Sequence, residues 1–303
     1  MPLFKRNNKA LCLGMMLSDD NIILILLDTE RSEKPTIRAV AKYPFSEKDN
    51  NRYEVVKKIL SHEKLVNLPC YCVVGDDDYQ LLLVETPDVP KTEVREALQW
   101  KIKDMINIEL NNVVIDVFDH PEKKMSYVVA TERKVVEKHI EITKELGLDL
   151  KAIDIPELTM RNILDHYSSN AERGVALISL KRGEGKLLII RKGNIYFSRR
   201  FSLTYESEGE NEFPEDMIVL ELQRSLDYYE RQMGQVSPAE IIFTGSIEKD
   251  QLSQFIVDNF QQKISHLSLD DLFINFGVNE NVNMPDELMM LVGGAALRQG
   301  SMA

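Results

Sequence analysis

The feature of this 303-residue sequence that most constrains its fold is an order of elements that occurs twice. Apolar runs separated by turn residues predict three hairpin-linked strands, then an amphipathic helix and a further strand. This order is found near residues 11–75 and again near residues 175–245. Three hairpin-linked strands, extended by a strand on a helical crossover, give a mixed sheet covered by helices. The repeat therefore predicts two lobes of the same mixed α/β plan.

Turn residues and helical spacing set the predicted elements of each copy. Ser18-Asp19-Asp20-Asn21 suits a tight turn in the first copy, and Lys192-Gly193-Asn194 suits a short hairpin turn in the second. The first copy has predicted strands Leu11–Leu17, Ile22–Leu27, Thr36–Tyr43 and Tyr71–Gly75, with helical positions Tyr53, Val56, Ile59 and Leu60. The second has predicted strands Val175–Leu180, Lys186–Arg191, Ile195–Leu203 and Glu240–Thr244, with helices Pro214–Met233 and Pro285–Arg298.

A separate small unit is predicted between the copies. Two amphipathic helices, Glu93–Ile106 and Lys134–Leu146, alternate with three apolar strands, and Gly147 suits a helix end in a left-handed conformation. The order α-β-β-α-β predicts an inserted subdomain. The predicted domains are a first lobe over 1–86, the insertion over 87–155, and a second lobe over 156–303 that starts with a connecting helix over 156–173.

The charge of the chain excludes one class of function. The formal net charge is −12 at pH 7. Binding to nucleic-acid phosphates requires clustered Lys and Arg side chains that displace counterions. No nucleic-acid partner is therefore predicted, whereas a basic or neutral protein partner is compatible with this charge.

Cysteine usage and the N-terminal segment indicate the compartment. Cys12, Cys70 and Cys72 lie in apolar, strand-like segments, which is typical of buried thiols in a reducing compartment. The apolar stretch after the basic pair Lys5-Arg6 is too short and too interrupted for a signal peptide or a membrane span. A cytoplasmic protein without a membrane segment of its own is expected.

Several common catalytic and metal-binding patterns are missing from the sequence. The five histidines form no His-x-x-x-His pair, and no Cys/His cluster has zinc-ligand spacing. Gly245-Ser246 lacks the Gly-x-Ser-x-Gly turn of hydrolases. Asp76-Asp77-Asp78 fits either a solvated turn, which is favoured, or a metal site. Neither a metal site nor a catalytic residue is predicted.

A set of loose motifs follows one another in a characteristic order along nearly the whole chain. They are Glu85-Thr86-Pro87, Glu93-x-x-x-Ala97-Leu98-x-Trp100, Ala130-Thr131-Glu132, Leu146-Gly147-Leu148, Ile153-Asp154, Gly193 through Phe197-Ser198-Arg199, Glu221 through Tyr229, and Gly293 through Arg298. Their order and spacing resemble the PilM family of type IV pilus assembly proteins. Within that family the chain is most similar to the MshI branch, which serves mannose-sensitive haemagglutinin (MSHA) pili.

The resemblance implies a duplicated actin-like, ribonuclease H-like fold related to FtsA, in which the insertion is the subdomain of that group. It also implies a cytoplasmic platform at the inner membrane. The implied partner is the cytoplasmic tail of a single-pass, PilN-like membrane protein, with the pilus assembly ATPase as a second candidate partner. Membrane association would then be indirect.

The resemblance also locates a nucleotide site, and the sequence departs from it. Actin-like ATP sites use an Asp-x-Gly turn in each lobe to direct magnesium and cradle phosphates. Met16 and Ser18 stand at the first acid and glycine, and Ser179 and Lys181 stand at the second. The adenosine loop keeps one glycine, in Thr244-Gly245-Ser246. The residues assigned to this degenerate cleft are Gly14, Gly245, Ser246 and Gly293.

Two lost carboxylates predict a protein that is not an enzyme and has no cofactor, because a divalent cation requires anionic oxygen ligands. A register shift that brings Asp19 or Asp20 to the acid position is the alternative, although both read more simply as turn residues. The alternative function is accordingly an actin-like switch with weak or vestigial binding of Mg-ATP.

The leading hypothesis is a scaffold that takes an extended peptide in a groove between the first lobe and the insertion. The residues predicted to line it, from the strand Tyr79–Glu85 and the first inserted helix, are Leu81, Leu83, Arg95, Leu98, Trp100 and Ile102. For Trp100, the only tryptophan, core packing and an aromatic anchor for a partner both remain open.

Two basic segments offer further surfaces. The stub Leu3–Lys9 could contact anionic lipid, at about 1 kcal/mol for each basic residue. Basic side chains on the second-lobe hairpins fit either exposed strand residues or a docking patch for an acidic partner. They are Lys181, Arg182, Lys186, Arg191, Lys192, Arg199 and Arg200.

Overall fold

The described part of the chain contains three β-sheets. The computed structural model describes residues 11–18, 21–29, 34–44, 53–122, 124–167, 172–181, 183–203, 214–245, 254, 257–275 and 284–300. By their internal contacts, two units are distinguished: 1–160 with 273–283 and 291–303, and 161–272 with 284–290.

The first unit is built on a six-stranded mixed sheet in the order β14-β3-β2-β1-β4-β8. Strands β1, β2 and β3 are antiparallel neighbours, whereas β4 runs parallel to β1 and β8 runs parallel to β4. The elements are β1 (Leu11–Leu17), β2 (Asn21–Asp28), β3 (Thr36–Pro44), α1 (Glu54–His62), β4 (Pro69–Val73), β8 (Asp149–Asp154) and β14 (Ile274–Asn275).

A three-stranded antiparallel sheet in the order β5-β7-β6 forms the inserted part of the first unit. Its elements are β5 (Tyr79–Glu85), α2 (Val94–Lys101), β6 (Val113–Asp119), β7 (Met125–Glu132) and α3 (Arg133–Glu145). The α-β-β-α-β subdomain predicted over 87–155 therefore needs correction. Strand β5, which the sequence assigns to the first lobe, pairs with β7 of the inserted sheet. Strand β8, which the sequence assigns to the insertion, belongs to the six-stranded sheet.

The second unit repeats the topology of the first. Its five-stranded sheet has the order β11-β10-β9-β12-β13, which matches β3-β2-β1-β4-β8 strand for strand, with the same antiparallel and parallel pairs. The predicted duplication is thus confirmed. The remaining elements are α4 (Pro156–Tyr167), β9 (Val175–Lys181), β10 (Glu184–Arg191), β11 (Asn194–Ser202), α5 (Glu215–Asp227), β12 (Glu240–Gly245), β13 (Lys263–His266), α6 (Leu269–Leu272) and α7 (Asp286–Ala296).

Two helices contribute residues to both observed units. The first five residues of α4, and the last six of α7, belong to the first unit, as does β14. The predicted second lobe, 156–303, therefore differs from the observed second unit. Helix α5 continues as one π-helical turn, Tyr228–Gln232, and α7 ends in a 3-10 turn, Leu297–Gly300.

Each sheet owes its core to apolar residues that alternate along its strands. In the first unit, Leu13, Met15 and Leu24 pack against α1 and α3; in the second, Ile178 and Leu187 pack against α5. The three cysteines are buried, as predicted, and burial raises the pKa of the Cys12 thiol to about 12. No helix among the described residues is long and apolar enough to cross a membrane.

Candidate functional site

Both faces of the inserted sheet take part in core packing, and α2 covers one of them. Helix α2 packs on it through Leu98, and the segment after the helix adds Ile102, both completely buried against Val84, Val128 and Ala130. This packing follows from sequence spacing, since Leu98 and Ile102 are four residues apart and lie on one side of a helical turn. The helix therefore fixes the position of β5 from one side.

The outer edge of β5 is the feature of this sheet that stands out. Strand β7 is its only strand partner among the described residues. The run Tyr79–Val84 contains no charged side chain, and the one charge of the strand, Glu85, stands at its last residue. An apolar strand edge without charge is open to pairing with another chain.

The other edge strands of four residues or more within the described part of the chain all carry charges, inside the run in β6, β8 and β11 and at the first residue in β13. Strand β6 has Asp116 and β13 has Lys263, while β8 has Asp149 and Lys151. Strand β11 has Arg199 and Arg200. Charged edge residues discourage edge-to-edge association, so β6, β8 and β11 are protected along their runs, whereas the seven-residue edge of β5 carries a charge only at its end.

Hydrogen bonds at both ends hold β5 in place. The Lys101 ammonium donates to the backbone oxygen of Glu85 at 3.1 Å, which joins the end of α2 to the end of β5. At the other end, the backbone N–H of Asn107 donates to Gln80 Oε1, also at 3.1 Å. A strand fixed in this way meets a partner without first being ordered, which reduces the entropic cost of binding.

Several aromatic and polar side chains lie together on the second face of the inserted sheet. Leu83 lies opposite Tyr127, and the Tyr127 ring stacks on Phe118 with ring centroids 5.0 Å apart. The Tyr79 hydroxyl donates to the buried Glu157 carboxylate. Burial, and then the charge of Glu157, raise the pKa of the Tyr127 hydroxyl, which therefore stays a neutral donor. No partner of this hydroxyl is found within the described residues.

The six residues predicted to line a peptide groove fall into two groups. Leu98 and Ile102 belong to the interior of the insertion, whereas Arg95, Trp100 and Leu83 are exposed and Leu81 is half-buried. The core-packing interpretation of Trp100 is wrong, because 62% of this residue is exposed. Its assignment to a partner surface stays a prediction. The sequence does not show that the other sheet edges carry charged residues, because an edge strand can be recognised only when the order of strands in the sheet is known.

The single tryptophan provides a direct check on this arrangement. We expect the emission maximum of the folded protein to lie close to that of free tryptophan, because the Trp100 indole is largely in water. Acrylamide should quench it nearly as well in the folded as in the urea-unfolded protein. Strongly blue-shifted, protected emission would contradict the exposed position.

The first hairpin turn, where the resemblance placed a magnesium-directing acid, is tight. The Ser18 backbone N–H donates to the Asn21 oxygen at 2.9 Å, and Met16 lies inside the ladder, paired with Ile23 and Val73. Asp19 and Asp20 lie outside the described residues. Asp76–Asp78 forms a 3-10 turn closed by a bond from the Gly75 N–H to Asp78 Oδ2. Within the described residues, no three His, Cys, Asp or Glu side chains are grouped so as to hold a metal ion.

The glycines assigned to the nucleotide cleft have packing roles within their own units. A Cβ at Gly14 would lie 2.0 Å from the Val292 backbone oxygen, and one at Gly293 would lie 2.8 Å from the Phe273 ring. Gly245 has a φ of +107°, and a Cβ there would lie 2.2 Å from the Leu180 oxygen. Ser246 lies outside the described residues. A nucleotide role for these residues stays a prediction.

The basic side chains of the second-unit hairpins are largely engaged. Lys181 pairs with Glu184 at 3.0 Å and Arg199 with Glu221 at 2.7 Å. Lys186 is buried, and the Arg191 guanidinium lies 5.9 Å from the centre of the Tyr196 ring. Arg182 lies outside the described residues. A docking patch for an acidic partner would have to displace these contacts.

Solved structures resemble the chain over nearly its full length. One is the PilM-PilN type IV pilus biogenesis complex, with a TM-score of 0.67 and 15% identity, over 95% of this chain and 98% of that one. Another, a Bacteroides thetaiotaomicron protein of unknown function with an actin-like ATPase fold, has a TM-score of 0.52 and 9% identity, over 97% and 99%. The fold is actin-like.

A third neighbour extends the comparison to a secretion system. The cytoplasmic domain of EpsL, an inner-membrane component of the type II secretion system of Vibrio cholerae, has a TM-score of 0.53 and 12% identity, over 95% of this chain and 94% of that one. The chain matches no protein-family model and no curated protein. At these identities the similarity is one of fold.

Proposed function

We propose that this protein is a non-catalytic, cytoplasmic scaffold of a type IV pilus assembly machine of the MSHA type, peripheral to the inner membrane through its partners. The carrying observation is the uncharged outer edge of β5. In this role the chain docks the cytoplasmic tail of a single-pass, PilN-like inner-membrane protein. The pilus assembly ATPase is a further candidate partner.

The proposed docking mode is strand addition. An extended tail pairs its backbone with β5, and its alternate side chains meet Leu81 and Leu83 on one face of the sheet. Backbone hydrogen bonds supply affinity, and the side-chain contacts supply selectivity. The Lys101 contact to Glu85 brings the end of α2 to the end of β5, so a tail that continues past Glu85 reaches the neighbourhood of Trp100.

Two neighbours in fold support this proposal. One is a complex of PilM with PilN, and another is part of an inner-membrane secretion component. The proposed absence of catalysis rests on Met16 and Ser179, which stand where the resemblance requires magnesium-directing acids. No cofactor is proposed.

A charge placed on the β5 edge tests the docking mode. We expect Leu83→Lys to weaken binding of the tail about tenfold or more, because a lysine on an edge strand opposes pairing. Leu83 is 37% exposed and lies opposite Tyr127, so the free energy of unfolding should fall by about 1 kcal/mol or less. Calorimetric titration with the tail peptide measures the affinity, and thermal unfolding measures the stability.

The matched control is Asp116→Lys, which adds a lysine to the other edge strand of the same sheet. This variant should bind the tail like the unaltered protein. Equal binding by the Leu83 variant would refute strand addition at β5. Equal recovery of the membrane partner with and without its tail, in a pull-down, would refute tail docking altogether.

A further inference from the structure

The hydrogen bonds of β7, the middle strand of the inserted sheet, show which main-chain groups of β5 face outward. In an antiparallel ladder, alternate residues of a strand turn both N–H and C=O to the same neighbour. The Thr86 N–H donates to the Lys124 oxygen at 2.8 Å, in continuation of the β5–β7 register, so the even-numbered residues of β5 face β7. The main-chain groups of the odd-numbered residues therefore point away from the sheet. They are those of Tyr79, Leu81, Leu83 and Glu85.

The bonds between β6 and β7 agree with this assignment. The Arg133 N–H donates to the Asn112 oxygen at 2.7 Å, and the His120 N–H donates to the Met125 oxygen at 3.3 Å. Both bonds extend the β6–β7 register, in which the odd-numbered residues of β7 face β6. The even-numbered residues of β7 are then left for β5, as the bond from Thr86 requires.

Two residues of the outward row offer their main-chain groups to a partner. No hydrogen bond reaches the outward N–H and C=O of Leu81 and Leu83 from any other residue that the structure describes. Together they supply two donors and two acceptors, spaced two residues apart. A strand that pairs here must bring two N–H groups of its own with the same spacing.

The third acceptor of the row, the Glu85 carbonyl oxygen, is occupied. Lys101 Nζ donates to it at 3.1 Å and lies 3.5 Å from the Glu85 carboxylate oxygen Oε2. This lysine is the last residue of α2, and its backbone is held between Leu98 and Ile102, which are completely buried. The ammonium group therefore stands where the N–H of a partner strand would have to lie.

A backbone amide of the tail is a poor competitor for this oxygen. A hydrogen bond from an ammonium group is charge-assisted and stronger than one from a neutral amide. Of the two contacts that Lys101 makes, the one to the carbonyl oxygen matters more, because an ion pair with an exposed carboxylate contributes little. The tail gains little by displacing the lysine, so pairing should stop short of this oxygen.

We propose that Lys101 closes the β5 edge at Glu85 and thereby sets the register of the docked strand. The fully paired stretch is confined to Leu81 and Leu83, and the tail leaves the sheet beside α2. Without the lysine, the tail would be free to slide by two residues, which keeps every side chain on its own face. Lys101 is thus a positioning residue. This inference rests on the proposed docking mode and adds the register to it.

Methylation of single backbone nitrogens in the tail tests the register. The probe is a synthetic peptide with the sequence of the cytoplasmic tail of the organism's own PilN-like protein, methylated at one nitrogen at a time. With the unaltered full chain, we expect two positions, two residues apart, at which methylation weakens binding about tenfold or more, because the N–H groups that meet Leu81 and Leu83 are lost. Methylation opposite Glu85 should weaken binding by less than about threefold. Calorimetric titration measures each affinity.

Removal of the lysine should extend this pattern by one position. K101M frees the Glu85 oxygen, so we expect a third sensitive position, two residues from one of the first two. The affinity of the unmethylated tail should rise about fivefold, the size of one added hydrogen bond. K101R can still donate to the Glu85 oxygen and should keep the original pattern. K103M, which removes a lysine two residues further along, should keep it as well.

The outcomes separate the role of Lys101 from the docking mode. Three sensitive positions in the unaltered protein would overturn the role of Lys101, and this measurement needs no variant that must fold. A folded K101M with the original pattern and affinity would overturn it too. Absence of binding, or tight binding without any sensitive position, would overturn strand addition at β5 itself and the register with it.

Discussion

Gly14→Ala should destabilise the first unit by about 3 kcal/mol or more, the upper range for overpacking a close-packed interior. The added Cβ would lie 2.0 Å from the Val292 oxygen and 2.9 Å from its carbonyl carbon. Both are backbone atoms of α7, so relief requires the helix to move away from β1. Thermal unfolding should show a decrease of about 6 °C or more in the melting temperature.

Gly75→Ala is the matched control for this substitution. Gly75 has a φ of −67°, which any residue adopts, and the nearest atom to its Cβ is the carboxylate end of Asp78 at 3.0 Å. Because that side chain can turn away, the control should unfold within about 2 °C of the unaltered protein. A Gly14→Ala protein as stable as this control would contradict the close approach of α7 to β1.

The result at Gly14 also bears on how such a glycine is interpreted. From the sequence, Gly14 was assigned to a degenerate nucleotide cleft, and only its contact with Val292 supplies a packing reason for the residue. Glycine permits any close approach of two backbones, whether the second belongs to a ligand or to a helix. Sequence alone does not distinguish these cases, because Val292 is distant in the chain.

The duplicated plan was predictable because its signals are local. Period-two apolar runs and the turn residues Ser18 and Gly193 mark strands and hairpins without reference to the rest of the chain. Sheet membership is a long-range property, and it was predicted wrongly for β5 and β8. Alternation identifies Tyr79–Glu85 as a strand, but it does not say that the partner is β7, about 45 residues later.

The exposure of Trp100 to solvent could be predicted in part from the sequence. At 100° per residue, a side chain two positions after Leu98 and two before Ile102 points away from both. Since these two face the core, Trp100 faces outward, as observed.

The second prediction with a large expected effect compares two residues of the predicted peptide groove, the buried Leu98 and the exposed Trp100. Leu98→Ala should cost about 2–5 kcal/mol of unfolding free energy, because it leaves a cavity beside Val84 and Val128 in the core of the insertion. Trp100→Ala should change the unfolding free energy by less than about 0.5 kcal/mol, since the side chain is mostly in water.

For binding of the membrane partner's tail, Trp100→Ala should have the larger effect and Leu98→Ala the smaller one. Loss of the exposed Trp100, the chain neighbour of Lys101, is expected to reduce affinity about 30-fold, the size of a hot-spot residue. Leu98→Ala should bind normally at temperatures where it remains folded, because Leu98 presents no surface to a partner. Urea titrations and calorimetry on the same preparations measure both quantities.

Lys103→Ala controls for the simple loss of a long side chain from the exposed segment after α2, and it should bind the tail like the unaltered protein. Normal binding by Trp100→Ala would confine the docking site to the strand edge itself. A Leu98→Ala protein as stable as the unaltered one would contradict the packing of α2 on the sheet. Because β5 is held by this packing and by the Lys101 contact, the exposed edge depends on the buried face beneath it.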